Sequence, residues 1–479
     1  MTVPIIPGFH PDPSICRVGG TYYLANSSFE YVPGVPIRRS TDLVSWEPVG
    51  HALTRPDQLP PSAGAANTGI YAPTLRHHDG RFHLVTTNIL EADRGHLIVT
   101  AEDPAGPWSA PVHVDGAVGI DPDLCWDDAG VCHLTWASFR PDLPGIAGVP
   151  IDPATGAMLG EPRLLWNGTG LAAPEGPHLY RVDGWWYLLL AEGGTERGHA
   201  VTIARARTLE GPYEPAPTNP ILTHRSTTHP VQNTGHADLV ECPDGSWAMV
   251  YLGVRPRGKT PQFHVNGRET FLAGVDWVDG WPVVVEDRFT IEPPDHSFTD
   301  RFPTAELHPR WVAPGAAPLT GWTGPGELVL RRALLTRALD VHWTALVRLD
   351  VSAGTARFVV RIDDRHWYGL TADGATVTAT VAIGPAVRVV TTVAAGSPVS
   401  LRIRAIEAPV SGPFREAAEP DLVELAVSDE SGRAEVLGSF DGRYLSTEVA
   451  AGFTGRMIGV EVLDGTATLH EFRYSTDVD

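Results

Sequence analysis

The sequence predicts an all-β protein: a five-bladed β-propeller over residues 1–295 followed by a β-sandwich over residues 296–479. Three observations predict it. The chain carries 49 Gly and 43 Pro spread between short apolar runs, a composition that favours many strands joined by turns. One segment type recurs five times before residue 260. Beyond residue 295 that recurrence stops and plain alternation of apolar and polar residues takes over.

The recurring segments read DPSICRVGGTYYLANSS from Asp12, YAPTLRHHDGRFHLVTT from Tyr71, DPDLCWDDAGVCHLTWAS from Asp121, EGPHLYRVDGWWYLLLAEGG from Glu175 and HADLVECPDGSWAMVYLG from His236. Each is a polar or aromatic opener, a short strand, a turn with Gly, and an apolar-aromatic strand, the pattern of a β-hairpin. The Gly follows the opener by 9 residues in four segments and by 8 in the first. Successive openers lie 59, 50, 54 and 61 residues apart, which leaves room for a second hairpin in each unit. DLVSW ending at Trp46, PAGPW ending at Trp108 and LEGPY ending at Tyr213 recur in that space. About four strands in each of five units describe a propeller, whose blades pack side by side around a channel. Equivalent positions of the innermost strands then converge at one end of that channel. They are Asp12, Tyr71, Asp121, Glu175 and His236.

After residue 295 the segments ELVLRRALL, HWTALVRLDV, ARFVVRID, TVTATVAI, VSLRIRAI, VELAV and GVEVLDGTATLHEFRY alternate as strands of a two-sheet sandwich do. VEDRFTIEPPDHSFTDRF holds the boundary, with Pro293-Pro294 as its stiff point.

Composition limits the partners. A formal charge of −21, with none of the 36 Lys and Arg residues clustered in a run, excludes nucleic acid, whose phosphates need such clusters. No stretch approaches the ~18 apolar residues of a membrane span, and the N-terminal MTVPIIPGFHPDPS has neither the basic nor the apolar region of an export signal. Cys16, Cys125, Cys132 and Cys242 show no CxxC spacing and read as reduced core thiols. A cytoplasmic protein is expected.

Three carboxyl groups, an aromatic and a histidine brought to one funnel suit glycosidic bond cleavage. That reaction needs one carboxylic acid to protonate the leaving oxygen and one carboxylate to activate water or attack. A third acid nearby raises the pKa of its neighbours. A single Asp or Glu at a strand start commonly does no more than bond turn amides, but three at one repeat offset point to function. His236 is placed to orient a carboxylate or bond a sugar hydroxyl. Neither DxDxDG nor HExxH is present, so no dedicated metal site is expected. In GRET, Arg268 and Glu269 read either as a surface pair or, for Arg268, as a fork for hydroxyls or a carboxylate.

PGFHPDPSICRVGGTYYLANSSFEYVPGVPI, GIYAPTLRHHDGRFHLV, GIDPDL, PEGPHLY, TGHADLV, GRETFL and VDWVDGWPVV together resemble glycoside hydrolase family 43, in its β-xylosidase and α-L-arabinofuranosidase group with a propeller followed by a sandwich. The resemblance covers essentially the whole chain. It implies Asp12 as general base, Glu175 as general acid, and Asp121 as the residue that orients Glu175 and tunes its pKa. It also implies that Phe29, Tyr71, Ala72, His236 and Arg268 line a sugar pocket with the sandwich at its rim. The implied reaction is exo-acting, inverting release of terminal β-D-xylose or α-L-arabinofuranose from a small oligosaccharide or aryl pentoside. No cofactor is required, an accessory calcium on the propeller axis and a homo-oligomeric state both being compatible with the resemblance. The sequence departs from the group in having Tyr71 where Trp is common, and Asp123 where a small polar residue is common. Two other readings use a similar scaffold: a retaining fructan- or sucrose-type hydrolase, whose NDP, RDP and EC motifs have no counterpart at these positions, and a non-catalytic carbohydrate-binding propeller.

Overall fold

The computed structural model describes residues 3–258, 260–408, 420–428 and 433–476. Strands build nearly all of it, and no described helix is long and apolar enough to cross a membrane.

Up to Val285 the strands form five antiparallel sheets, one for each recurrent segment. Their first strands are β1 (Ser14–Val18), β2 (Thr74–His78), β3 (Gly119–Trp126), β4 (Glu175–Val182) and β5 (Gln232–Glu241). Each pairs with the strand that follows its Gly turn. At two of these turns the local chemistry is visible: Asp79-Gly80 and Asp183-Gly184 have φ of 47° and 75°, and 47° and 77°. Left-handed backbone at both central residues is what a two-residue hairpin turn demands, and Asp-Gly supplies it cheaply. The sheets continue outward to a fourth strand, and the third adds Arg163–Trp166. The five first strands touch in cyclic order, β1 to β2 and so on to β5, which touches β1 again.

Among the described residues this part of the molecule has five apolar cores, one between each pair of successive sheets. Leu24, Val240 and Leu272 belong to the core that closes the cycle between fifth and first sheets, whereas Leu84 and Ile37 pack between the first and second. The recurrent aromatic of the outer region seals such seams. Trp46, Trp108 and Tyr213 each pack at a different one, and each donates its polar hydrogen to a backbone carbonyl three or four residues earlier, at Leu43, Pro104 and Leu209. Such a partner removes the cost of burying the polar tip of an aromatic.

Beyond residue 295 the strands form an eight-stranded and a six-stranded antiparallel sheet. Alternation along Trp343–Asp350 puts Trp343, Ala345, Val347 and Leu349 on one buried face, and these share a core with Phe358, Val360, Tyr368 and Leu370 of the other sheet. A separate cluster joins this region to the first sheet: Phe9, Phe29 and Tyr31 pack on Val312, Leu335, Val359 and Trp367, and Tyr31–Val32 pairs with Ala313–Pro314. All four cysteines are free thiols, three of them buried.

Candidate active site

Eight sequence-predicted residues, Asp12, Phe29, Tyr71, Ala72, Asp121, Glu175, His236 and Arg268, line one cavity of about 70 Å³. The expectation that the five openers begin the inner strands at one position needs correction. Only Glu175 opens its strand; Asp12 and Tyr71 precede β1 and β2, and Asp121 and His236 lie within β3 and β5. Convergence is recovered by backbone distortion. Asp12, Asp121 and His236 have φ of 52°, 56° and 43°, and register shifts interrupt β3, β4 and β5 at these places. Left-handed backbone costs a non-glycine residue about 1–2 kcal/mol, and a bulge re-aims a side chain. Here both turn polar groups into the cavity.

Asp12 is buried and fully bonded: Arg268 Nη1 donates to Oδ1 at 2.8 Å, Ser27 Oγ donates to Oδ2 at 2.5 Å, and His236 Nδ1 lies 3.7 Å from Oδ1. Burial alone would push the Asp12 carboxyl up, but the Arg268 guanidinium, followed by His236 and Ser27, holds it below the usual carboxylate range. Asp121 faces the opposite situation. Burial, then the neighbouring Glu175 and Asp12 charges, push it well above that range against one backbone donor, Gly176 N–H, at 3.2 Å. Glu175 is raised to about 7 by burial and by Asp12. Burial lowers His236 to about 4 despite Asp12, so the ring is neutral near pH 7.

Gly176 explains the glycine of PEGPH. Its φ is 57°, and a Cβ there would meet His236 Nε2 at 3.0 Å. The His236 ring therefore packs directly on this glycine, beside the Glu175 carboxyl. Arg268 and Glu269 are not a surface pair. Both are buried, and Glu269 accepts from Arg255 at 2.6 and 2.8 Å and from Gly8 N–H at 2.8 Å.

The far wall is aromatic. The Phe29 ring lies 5.1 Å from Tyr71 and 5.5 Å, stacked, from Phe453, and the Arg268 guanidinium sits 5.6 Å from both phenylalanine rings. Tyr71 OH donates to Asn67 O, and Asn67 Oδ1 accepts from Phe453 N at 2.7 Å. Phe453, Thr195 and Ile120 complete the lining, Thr195 by accepting from Arg268 at 3.0 Å. These three were not anticipated. Ile120 adjoins Asp121 in GIDPDL and Thr195 follows LLLAEGG, so both had a motif beside them. Phe453 comes from the last sheets, and its sequence, AGFTG, gives no sign of this role.

Asp123 does not enter the cavity. It lies below, where each of the first strands contributes one polar residue: Arg76 pairs with Asp123 at 2.9 Å and Asp238 at 2.7 Å and bonds His178 Nδ1 at 2.9 Å, while Ser14 donates to Asp238 at 2.8 Å. The Asp123 charge thus shares one guanidinium with Asp238 at the centre of the cycle.

Among the described residues, two groups have metal-ligand chemistry with ligand atoms within 4.8 Å of one another: Asp121, Glu175 and His236 in the cavity, and His224, His229 and Glu286 away from it. In the cavity, Asp121 and Glu175 are held toward their protonated forms and stand beside Asp12, whose carboxyl is held down.

Residues 1–282 match the model of Glycosyl hydrolases family 43. A xylosidase/arabinosidase of Butyrivibrio fibrisolvens is 44% identical over 322 residues, covering 63% of this chain and 61% of that protein; the match thus spans less than two thirds of the relative's length. A non-reducing end α-L-arabinofuranosidase of Bacteroides ovatus is 37% identical, covering 95% of this chain and 90% of that protein. Among solved structures, a xylan β-1,4-xylosidase from Bacillus halodurans superposes with a TM-score of 0.88 at 28% identity, covering 99% of this chain and 100% of that one.

Proposed function

Because the chain belongs to glycosyl hydrolases family 43, we propose that it is an exo-acting, inverting glycosidase releasing terminal β-D-xylose or α-L-arabinofuranose from short oligosaccharides. Glu175 protonates the leaving oxygen, Asp12 activates water, and Asp121 orients Glu175 and keeps its proton. The observation that carries this reading is the split in ionisation within one cavity: Asp12 is held down by Arg268 while Asp121 and Glu175 are held up by burial and by neighbouring carboxylates. Two carboxyl groups with opposed environments are how a base and an acid coexist at one pH. The proton delivered is that of Glu175, which burial and Asp12 hold on the carboxyl.

Other features support the details. The cavity is small and Phe453 caps one side, which suits a single terminal sugar. The five cyclic sheets are read as propeller blades spanning residues 1–295, and the two later sheets as a sandwich spanning 296–479 that supplies Phe453. Free thiols fit a reducing, cytoplasmic setting. No cofactor is required by this reading, and an accessory calcium on the axis of the cycle remains compatible with it.

The test is hydrolysis of nitrophenyl β-D-xyloside and α-L-arabinofuranoside with the product anomer followed by NMR. Inversion is expected, because the water stands between base and anomeric carbon. A retained anomer would sink the role given to Asp12, and full activity in Glu175→Gln would sink that given to Glu175.

A further inference from the structure

A second cavity, of about 470 Å³, lies away from the acids, between the N-terminal segment, the first sheet and the region after residue 290. One wall is apolar, with Ile5, Ile6, Trp46 and Phe298. The other carries two guanidinium groups, Arg38 and Arg337, and a third, that of Arg310, lies over the Phe298 ring, 3.7 Å from its centre. Arg337 is buried. Its Nε donates to Phe9 O at 2.6 Å and its guanidinium carbon lies 5.1 Å from the Phe9 ring centre, but its Nη2 is buried without a hydrogen-bond partner. Arg38 Nη2 donates to His10 Nε2 at 3.1 Å, a neutral acceptor whose Nδ1 is engaged by Pro7 O at 2.8 Å.

Among the described residues no carboxylate pairs with either arginine. Burial lowers Arg38 to about 10, and burial together with Arg38 lowers Arg337 to about 9. Both therefore stay charged near neutral pH, and the field is strong enough to help hold His51 neutral. The acids of the cavity, Glu292 and Asp295, are exposed at its rim, and Asp295 Oδ1 already caps Ser297 N–H at 2.8 Å. Three other buried arginines of this chain each have an acid: Arg268 has Asp12, Arg361 has Glu461, Arg456 has Asp421. Two like charges set into the protein without counter-charge are costly to keep, and two guanidinium forks over an apolar floor match an anion with a carbon skeleton.

We propose that this cavity binds a small organic oxyanion, its charged oxygens held by Arg337 and Arg38 and its skeleton lying on Ile5, Ile6 and Trp46. Binding to the folded state alone raises the unfolding midpoint in a saturable way, so thermal unfolding reads the site directly. The probes are citrate, for the carboxylate class, and inorganic phosphate, for the phosphate class, each titrated at fixed pH and ionic strength against chloride. At least one is expected to saturate. Its half-saturating concentration should rise at least tenfold in Arg38→Gln, a partly exposed residue whose loss leaves the Arg337–Phe9 bond intact, and in Arg337→Met if that variant folds. It should be unchanged in Arg268→Lys, which alters the other cavity. The proposal is overturned if neither anion saturates, if Arg38→Gln responds as the parent does, or if the response vanishes with Arg268 instead.

Discussion

Arg268 sets the charge state of Asp12, and that makes it separable from the groups that only touch sugar. Without its cation, burial is opposed only by the weaker influences of His236, Ser27 and His199, and the carboxyl moves up. Replacing Arg268 with Met is therefore expected to shift the acid limb of the kcat/KM profile to higher pH, as well as lowering the rate. The alkaline limb belongs to the acid and should fall near pH 7, where Glu175 loses its proton. Glu175→Gln is expected to lose roughly 10²–10⁴-fold in kcat on substrates with poor leaving groups. The same variant carries a stability signature. The folded-state pKa of Glu175 is raised from 4.5 to about 7, so the folded state prefers the proton and stability falls as pH rises through that window. Glu175→Gln should thus unfold at a higher temperature than the parent above pH 7 and at nearly the same temperature below pH 4.5. At this scale the sequence was informative. Asp12, Asp121 and Glu175 announced themselves as openers of one recurrent segment, 8 or 9 residues before its Gly, because a repeated fold repeats its geometry. Ser27, which fixes the second oxygen of Asp12, did not, since a hydroxyl in SSFEY has nothing to mark it from its neighbour.

At the scale of the element, three of the first strands, β3, β4 and β5, do two jobs along their length: one residue goes to the cavity and a later one to the Arg76 network. β3 does this with Asp121 and Asp123, β5 with His236 and Asp238. Residues two apart normally share a face of a strand, and the bulges let the first of each pair turn into the cavity instead. Arg76→Met would leave Asp123 and Asp238 buried and unmatched, and is expected to cost about 3–5 kcal/mol in denaturant unfolding. Gly176→Ala is expected to cost about 1–2 kcal/mol for the left-handed backbone and to reduce activity disproportionately, because the new Cβ displaces His236 from beside Glu175. Hairpin positions were legible from Asp-Gly turns and alternation. The bulges were not: they depend on which neighbours crowd the centre of the cycle, and that is decided by strands far away in the sequence.

At the scale of the whole molecule, the acids of the cavity and part of its aromatic wall come from different parts of the chain. The acids stand on the first five sheets, whereas Phe453 reaches the same cavity from the last ones. On the proposed function, Phe453→Ala is expected to raise KM up to about tenfold with a smaller effect on kcat, since an aromatic contact is worth ~0.5–1.5 kcal/mol and Phe453 lines the cavity without belonging to its acids. No sequence signal pointed to Phe453, because its role arises only when two separately predicted regions dock. The docking surface itself is apolar, with Phe9 and Phe29 covered by Val312, Leu335 and Trp367. That arrangement has a consequence in time. A chain is made from its N-terminus, and early parts fold first, so the three acids can be assembled while the segment bearing Phe453 is still being synthesised. The cavity gains its last wall only once the segment around Phe453 has been made, so its lining is completed later than its acids.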